Sequence, residues 1–266
     1  MSWLPTAGFR PLDRGAPQRS PALPADPADA ADAEDAASIA FTIVARNWRR
    51  AEEACRTAEG LGFVHTNECP AFVIALGGDG TYLRCEDHWP GLPKLLVRES
   101  LVCAKCPDMP LADMLAAIRG RRHRVTAMPK LKAEFGRMQF TAVNDIVVRN
   151  ADPRHALRFH VTVDGSSLAR SVIGDGIVAA TPFGSTGYYR SVSGETLDEG
   201  MGLAFNNPTE PRPPTHVRLT SRVELTVCRG EAHLSADNHE DLEMLYDGDR
   251  LAITVSEYST SIIGPT

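Results

Sequence analysis

The stretch Ala71-Phe-Val-Ile-Ala-Leu-Gly-Gly-Asp-Gly-Thr81 decides the fold of this chain. Its first six residues form a continuous apolar run of strand length, which is typical of a strand buried on both faces. The run ends abruptly in glycines, which allow the backbone to turn tightly and to approach a bound group closely. The stretch therefore predicts a buried strand with a phosphate-binding turn at its carboxyl end.

The flanking residues extend an α/β pattern. Residues 39–45 are a β-branched, apolar run of strand length. Residues 49–61 are rich in helix formers and end beside glycines, and residues 111–118 have apolar side chains at helical spacing. Because the strand runs are continuously apolar rather than alternating, we expect a parallel, Rossmann-like sheet covered on both faces. We predict an α/β domain over residues 38–122.

The sequence pattern changes near residue 123. Short β-prone runs separated by turn residues replace the helix-length segments, which indicates an all-β, sandwich-like domain over residues 123–266. The predicted strands are 125–127, 133–140, 145–148, 157–163, 168–173, 176–180, 217–219, 222–228 and 250–255.

The first 37 residues differ from both domains. They are rich in Pro, Ala and Asp, and their apolar content is too low to offset the entropy of ordering. We predict a disordered tail over residues 1–37.

Overall composition restricts the class of protein. A net charge of -6 argues against a general nucleic-acid binder, because phosphate binding of that kind needs clustered Lys and Arg. No apolar stretch approaches the roughly 20 residues that span a bilayer. The N-terminus lacks the basic and apolar regions of a signal peptide. We therefore expect a cytoplasmic protein that binds neither nucleic acid nor membrane.

The six cysteines suggest no metal centre. Cys103 and Cys106 have the spacing of half a zinc site, but no second pair with that spacing follows. A chain of this length does not need a disulfide framework for stability. We expect structural or incidental thiols and assign no residue as a metal ligand.

Asp79 is the candidate catalytic residue of the glycine-rich turn. Its negative charge would repel a phosphate, so it is not there to attract one. It is suited to bind the Mg²⁺ that accompanies ATP, or to act as the base for an attacking hydroxyl. The alternative is an ordinary Gly/Asp turn.

Two further segments contain candidate binding residues. The loop after the predicted strand 176–180 is dense in small and hydroxyl residues, among them Ser185 and Thr186, and Tyr188 offers a flat face for a base. Asn144 and Asp145 directly precede another predicted strand. Taken separately, the first segment is also consistent with a turn-rich loop, and the second with a strand-initiating Asx turn.

Together the three segments, in this order, resemble the NAD kinase family. Residues 77–81 match its GGDGT sequence, and Asn144-Asp145 lies where the family has Asn-Glu. Residues 175–188 are similar to its DG-hydrophobic-TPTGSTAY signature, and Asp237 resembles a late Asp of the family. The resemblance implies an α/β domain followed by a β-sandwich-like domain. It also implies transfer of a phosphoryl group from ATP to the 2′-hydroxyl of the adenosine ribose of NAD, which gives NADP.

The resemblance implies a role for each matching residue. Asp79 would be the catalytic residue, with Mg²⁺ or another divalent cation accompanying the ATP. Homodimers or homotetramers are usual in the family. The residues expected to bind the donor phosphates are Gly77, Gly78, Gly80 and Thr81. The residues expected to bind the dinucleotide are Asn144, Asp145, Asp175, Thr181, Ser185, Thr186, Gly187 and Tyr188.

Three departures from the family pattern leave other functions open. Residues 95–102 lack the glycines of the family's Gly-x-Asn-x-Gly-x-x-Gly-Phe-Leu segment. Phe183 replaces a Thr or Ser that contacts adenine in the family, so we expect a weaker adenine preference, a base stacked on Phe183 or Tyr188, or a Phe183 packed in the core. Asp145 is one methylene shorter than the usual Glu. The alternatives are a kinase of another hydroxyl substrate (a sugar, nucleoside or lipid) and a non-catalytic NAD(P)-binding regulatory relative.

Overall fold

The computed structural model describes residues 38–99, 106, 108–240 and 242–266. The chain divides into two compact units, of which the first contains the described residues up to 127 together with 260–266, and the second contains 128–259. Residues 260–266 thus belong to the first unit, although the sequence analysis assigns them to the β-rich region. The predicted tail, residues 1–37, lies outside the described residues.

The first unit contains alternating strands and helices. They are β1 (Ala40–Ala45), α1 (Trp48–Gly60), β2 (Val64–His65), β3 (Phe72–Gly77), α2 (Asp79–His88), β4 (Pro93–Arg98) and α3 (Leu111–Arg119).

The second unit consists mainly of strands, and the first and last of these have residues in both units. The elements are β5 (His123–Phe135), β6 (Met138–Ala142), β7 (Asp145–Asn150), β8 (Leu157–Val163), β9 (Ser166–Gly174), β10 (Gly176–Ala180), a 3₁₀ turn (Gly184–Thr186), α4 (Tyr188–Ser193), β11 (Met201–Asn206), β12 (Thr215–Val217), β13 (Val223–Arg229), β14 (Ala232–Ala236), β15 (Glu243–Leu245) and β16 (Arg250–Pro265).

The sheet of the first unit is parallel, as the continuous apolar runs predict. Its order is β2-β1-β3-β4, and the end of β16 pairs with β4 in the parallel sense. On one face, Phe72 and Ile74 of β3 pack with Leu95 of β4 and with buried residues of α1 and α3. On the other face, Lys94 of β4 contacts Glu86 of α2. Helices therefore cover both faces of the sheet, and α2 lies on the face opposite to α1 and α3.

The second unit is a β-sandwich. One sheet has the order β12-β11-β10-β7-β14-β15, and its strands are antiparallel. The other contains β9, β8, β13 and the first part of β16. Alternate residues of both sheets form one core, in which the rings of Phe159 and Phe205 stack 6.3 Å apart. The predicted combination of an α/β region and a β-sandwich-like region is confirmed.

The structure corrects several predicted boundaries. The glycine-rich turn leads directly into helix α2, which begins at Asp79. The predicted strand 133–140 is a hairpin, because Gly136 adopts a φ of +60° and the chain reverses there. The strands β2, β4, β11, β14 and β15 and the helix α4 were not predicted.

The state of the cysteines differs from the prediction at one position. Cys106 is disulfide-bonded, so the expectation of thiols throughout was wrong for this residue. Cys55, Cys69, Cys85 and Cys228 are free.

Over the described ranges, no group of three or more His, Cys, Asp or Glu side chains is arranged to hold a metal ion. None of the helices described combines the length and apolar character that a membrane span requires.

Candidate functional site

The glycine-rich turn connects the buried strand β3 to helix α2. Gly78 is the N-cap of α2 and provides no side-chain cap, while its carbonyl accepts hydrogen bonds from the N–H groups of Thr81 (2.9 Å) and Tyr82 (3.2 Å). A helix start without a side-chain cap leaves first-turn N–H groups for another acceptor. With the helix dipole, these groups favour an anion such as a phosphate.

Gly77 is required by the close packing of this turn. Its φ is +153°, and a Cβ atom at this position would collide with the side chain of Thr81. Thr81 is itself only 2% exposed. The buried Thr81 side chain therefore packs against the inner side of the turn. The turn can contact a phosphate through its backbone groups.

Asp79 is the first residue of α2, and its Oδ1 atom is buried. A carboxylate in the first turn of a helix is favoured in its ionised form by the helix dipole. A Mg²⁺ ion that accompanies ATP takes most of its ligands from phosphates and water, and needs one or two protein carboxylates. Asp79 beside a phosphate-binding helix start fits that requirement, so the residues present are compatible with Mg²⁺-ATP.

A buried polar network holds α2 against the sheet. Lys94, which is fully buried, forms an ion pair with Glu86 and donates a hydrogen bond to the carbonyl oxygen of Trp89 (3.0 Å). The hydroxyl of Thr260 donates to Glu86 Oε2 (2.6 Å), and the hydroxyl of Tyr82 lies 2.6 Å from Thr260 Oγ1. Because the Thr260 proton goes to Glu86, the Tyr82 hydroxyl is the donor in its bond to Thr260. Burial raises the pKa of Tyr82, so this residue stays neutral.

Sequence reasoning did not find this network. Its one visible signal is Lys94 inside the apolar run of β4, where an unpaired charge would be costly. Glu86 is 8 residues away from Lys94 in the sequence, and Thr260 is 174 residues away from Glu86. The fold brings these residues together.

In the second unit, Asp237 fixes the turn that contains Asn144 and Asp145. Its carboxylate accepts hydrogen bonds from the backbone N–H groups of Val143 (2.7 Å), Asn144 (2.7 Å) and Asp145 (3.2 Å). The N–H of Asp237 donates in return to the carbonyl oxygen of Asp145 (2.9 Å). Asp237 therefore determines the conformation of the turn, although the sequence analysis mentioned it only as part of the resemblance.

The loop after β10 packs closely against the same turn. The Thr181 hydroxyl donates to the carbonyl oxygen of Val143 (2.5 Å) and accepts from the N–H of Gly184 (3.0 Å). A Cβ atom on Gly184 would collide with the backbone of Asn144. Thr181 and Gly184 thus join the loop to the turn, and the Thr181 side chain acts within the protein.

Four other predicted binding residues, Asp175, Ser185, Thr186 and Gly187, are not among the residues that line the cavity described next. The Ser185 hydroxyl donates to the carbonyl oxygen of Pro182 (2.9 Å) and is buried within its own loop. Asp175 accepts a hydrogen bond from the side chain of Asn207 (3.1 Å). Thr186 ends the 3₁₀ turn, and Gly187, which is exposed, precedes α4.

A polar cavity of about 280 Å³ opens beside the turn. Of the predicted binding residues it is lined by Asn144, Asp145 and Tyr188, and the Tyr188 hydroxyl accepts a hydrogen bond from Asn206 (2.9 Å). The lining residues that the sequence analysis did not predict as binding residues are Val147, Arg149, Ser235, Asp237 and Asn238. Such a volume accommodates one part of a dinucleotide rather than the whole.

Asn144 lines this cavity and contains an unsatisfied polar atom. Its Oδ1 is buried and accepts no hydrogen bond from the part of the chain that the structure describes. Buried polar atoms nearly always have a partner, so an exception calls for a specific explanation. A hydrogen-bonding ligand in the cavity supplies one.

Asp145 and Asp237 form a coupled pair of carboxylates at the cavity. Burial, and secondly the charge of Asp237, raises the pKa of Asp145 to about 7. Burial also raises the pKa of Asp237, but its three backbone N–H bonds favour the ionised form. We assign the negative charge mainly to Asp237, and Asp145 is protonated in part at neutral pH.

Phe183, the departure in the loop signature, is 2% exposed and does not line the cavity. Its ring is packed in the interior of the protein. This agrees with the core-packing alternative, and the ring offers no accessible face on which a base could stack.

One unit thus contains a helix start that favours an anion, and the other contains a polar cavity of about 280 Å³. The family model for the ATP-NAD kinase C-terminal domain matches residues 143–264. NAD kinase from Bordetella avium is 25% identical over 239 residues, which is 83% of this chain and 78% of that protein. NAD kinase from Pyrococcus abyssi is 30% identical over 176 residues, which is 62% of this chain and 63% of that protein.

Solved structures show the same fold. Yeast NADH kinase in complex with NADH aligns with a TM-score of 0.74 at 16% identity, covering 86% of this chain and 84% of that one. An NAD kinase from Archaeoglobus fulgidus in complex with ATP aligns with a TM-score of 0.70 at 22% identity, covering 84% and 92%. Residues 143–264 thus match the NAD kinase family model, and the chain as a whole is similar in sequence to NAD kinases.

Proposed function

We propose that this protein is an NAD kinase, which transfers a phosphoryl group from ATP to the 2′-hydroxyl of the adenosine ribose of NAD. The observation that carries the proposal is the cavity of the second unit. It lies within the segment that the family model matches, and it is lined by Asn144 and Asp145. Ribose hydroxyls and amide groups can satisfy both, because they donate as well as accept hydrogen bonds.

The glycine-rich turn supplies the other part of the chemistry. First-turn N–H groups of α2 bind the donor phosphates, and Asp79 orients or deprotonates the attacking hydroxyl. The hydroxyl oxygen then forms a bond to the terminal phosphorus, the bond from that phosphorus to ADP breaks, and the hydroxyl proton passes to Asp79. When bound, Mg²⁺ neutralises charge on the phosphates. Phosphoryl transfer depends mainly on positioning and charge stabilisation, which matches this small set of groups.

An acceptor panel tests the proposal. Purified protein is incubated with ATP and Mg²⁺ together with NAD, NADH, a nucleoside, a sugar or a lipid headgroup, and ADP release is measured. NAD-dependent ADP release with formation of NADP is the expected result. ADP release with another acceptor alone would favour a different kinase, and NADP binding without turnover would favour a regulatory protein.

Two further properties belong to the same proposal. We propose that the protein functions in the cytoplasm, where ATP and NAD are available together. We also propose a homodimer or homotetramer, as is usual in the family, and light scattering of the purified protein measures this directly.

A further inference from the structure

A second cavity, of about 670 Å³, lies on the β-sandwich of the second unit. It is lined by residues of β8, β13 and the start of β16, and by the hairpin that joins β5 to β6. Its volume is within the range typical of small-molecule sites. We call it the sheet-face cavity.

The sheet-face cavity is separate from the cavity that Asn144 lines. Along β8 and β13, the lining residues His160 and Thr226 alternate with residues of the sandwich core, so they lie on the outer face of their sheet. In the other sheet, Val147 and Ser235 line the cavity of Asn144 and alternate with residues of the same core. The two cavities therefore lie on opposite outer faces of the sandwich, whose sheets are about 10 Å apart.

Strand register places three lining residues side by side. Thr226 of β13 is the register partner of His160 in β8 and of Arg250 in β16. Neighbouring strands lie about 4.8 Å apart, so these residues form a row about 10 Å long across the sheet. Arg137, in the turn of the hairpin, lines the same cavity.

The two glutamates of the sheet-face cavity are already paired with cations. Glu224 accepts a hydrogen bond from Arg222 Nε (3.2 Å), and Glu134 forms an ion pair with Lys132 Nζ (3.2 Å). Arg222 Nη1 also lies 3.7 Å from Glu134 Oε2. The negative charges that line the cavity are therefore balanced within the protein.

Two positive charges in the lining are not balanced in this way. The side chains of Arg137 and Arg250 form no ion pair or hydrogen bond with any residue that the structure describes. Unpaired positive charge in a concave surface attracts an anion. The charges of the lining thus favour an anionic ligand, although the whole chain has a net charge of -6.

His160 adds an oriented hydrogen-bond donor. Its Nδ1 accepts a hydrogen bond from the backbone N–H of Ser171 (2.7 Å), so the ring hydrogen is on Nε2. Ser171 has a φ of +51° and lies where the register between β8 and β9 shifts opposite His160. Such bulges re-aim side chains and are frequent beside functional sites.

The donors favour a phosphate group over a carboxylate. They come from the hairpin and from separate strands, and phosphate oxygens accept hydrogen bonds from several directions, whereas the two carboxylate oxygens lie in one plane. Guanidinium groups bind phosphate in a bidentate manner. The described lining contains no Phe, Tyr or Trp on which a base could stack, while Thr162 and Gln139 can bond to hydroxyl groups. The lining therefore fits a sugar phosphate better than a nucleotide.

We propose that the sheet-face cavity binds a small phosphorylated sugar or polyol, whose phosphate group contacts Arg137, Arg250 and His160. The site is separate from the proposed site for NAD, and it does not depend on the proposed function.

Calorimetric titration with glucose 6-phosphate, glucose and AMP tests the proposal on wild type, Arg137→Gln, Arg250→Gln and the double variant. The control is Arg218→Gln, which removes an exposed arginine of the same unit that does not line the cavity. Glucose 6-phosphate should bind the wild type more tightly than AMP or glucose does. Each single variant should weaken its binding by about tenfold, and the double variant by about 100-fold or more. Arg218→Gln should change the dissociation constant by less than about twofold, and saturating NAD should leave it unchanged.

Several outcomes would overturn the proposal. Absence of glucose 6-phosphate binding to the wild type at millimolar concentration removes the site. Equal binding by the wild type and the double variant, with folding checked by circular dichroism, removes the two arginines from it. Glucose that binds as tightly as glucose 6-phosphate excludes a phosphate contact, and tighter binding of AMP contradicts a sugar phosphate. Displacement by NAD would place the ligand in the cavity of Asn144 instead.

Discussion

Asp145→Asn provides a quantitative test of the carboxylate pair at the cavity. Asparagine resembles the protonated form of aspartate, so the substitution removes the cost of ionising a buried group. Asp145 is 8% exposed, and its pKa is raised from 3.8 to about 7. A rise of this size corresponds to about 4 kcal/mol, as an order of magnitude, of unfavourable free energy when the group is fully ionised in the folded state.

The sign of the pH dependence follows from proton binding. Between pH 3.8 and about 7, the folded state holds the Asp145 proton more tightly than the unfolded state does. The contribution of Asp145 to the free energy of unfolding is therefore greatest at low pH and is lost as pH rises through about 7. Relative to the wild type, Asp145→Asn should gain stability from pH 4 to pH 8, by up to about 4 kcal/mol.

Urea unfolding at a series of pH values measures this difference. The three tryptophans, at positions 3, 48 and 89, all lie outside residues 128–259, so far-ultraviolet circular dichroism is the appropriate signal for the second unit. Asp198→Asn, at an exposed position of the same unit, is the matched control and should show no such trend. A stability difference between Asp145→Asn and the wild type that stays constant from pH 4 to pH 8 would show that the pKa of Asp145 is not raised in the folded protein.

Three further substitutions test the packing that positions the sites. Lys94→Met should destabilise the protein by about 3–5 kcal/mol, because it removes the buried cation that pairs with Glu86, and adding Glu86→Leu should recover most of the loss. Unfolding followed by tryptophan fluorescence measures both changes. Equal stability of Lys94→Met and the wild type would contradict the network. Phe183→Thr should lower stability by about 3 kcal/mol without changing the preference between NAD and a hypoxanthine analogue, and a changed preference at full stability would contradict the core position. Gly184→Ala should weaken NAD binding by more than about tenfold while ATP binding is kept, because the new methyl group displaces the backbone of Asn144; calorimetry that finds NAD affinity unchanged would disprove this coupling.

Elements could be predicted from the sequence where the local residue pattern agrees with the tertiary packing. Strand β3 and the turn that follows it were predictable because a continuous apolar run ends in glycines. Strand β11 was not predictable, because Gly202 and other small residues weaken its strand signal. The structure explains Gly202, since a Cβ atom there would collide with the ring of Tyr189. Its small size is needed for tertiary packing that no local pattern reveals.

In the candidate site, too, some residues could be predicted from sequence motifs and others could not. Asp79 and Asn144 were predicted from their motifs, and the structure places them at the start of α2 and at the cavity. The contribution of Asp237 depends on hydrogen bonds across more than 90 residues, and periodicity contains no information about such contacts. Thr181 was predicted as a binding residue from the family resemblance, but its hydroxyl is used within the protein. Residue type alone does not distinguish groups that contact a ligand from groups that hold the site together.

We propose that this chain phosphorylates NAD and that Asp79 takes part in the reaction. The most direct measurement incubates the purified protein with NAD, Mg²⁺ and ATP labelled at the terminal phosphate, and follows the label into a product that an NADP-specific dehydrogenase reduces. The account predicts labelled NADP with the wild type and a rate lower by about 10²-fold or more with folded Asp79→Asn. No labelled NADP from wild-type protein that binds both substrates, or a wild-type rate with Asp79→Asn, would contradict it.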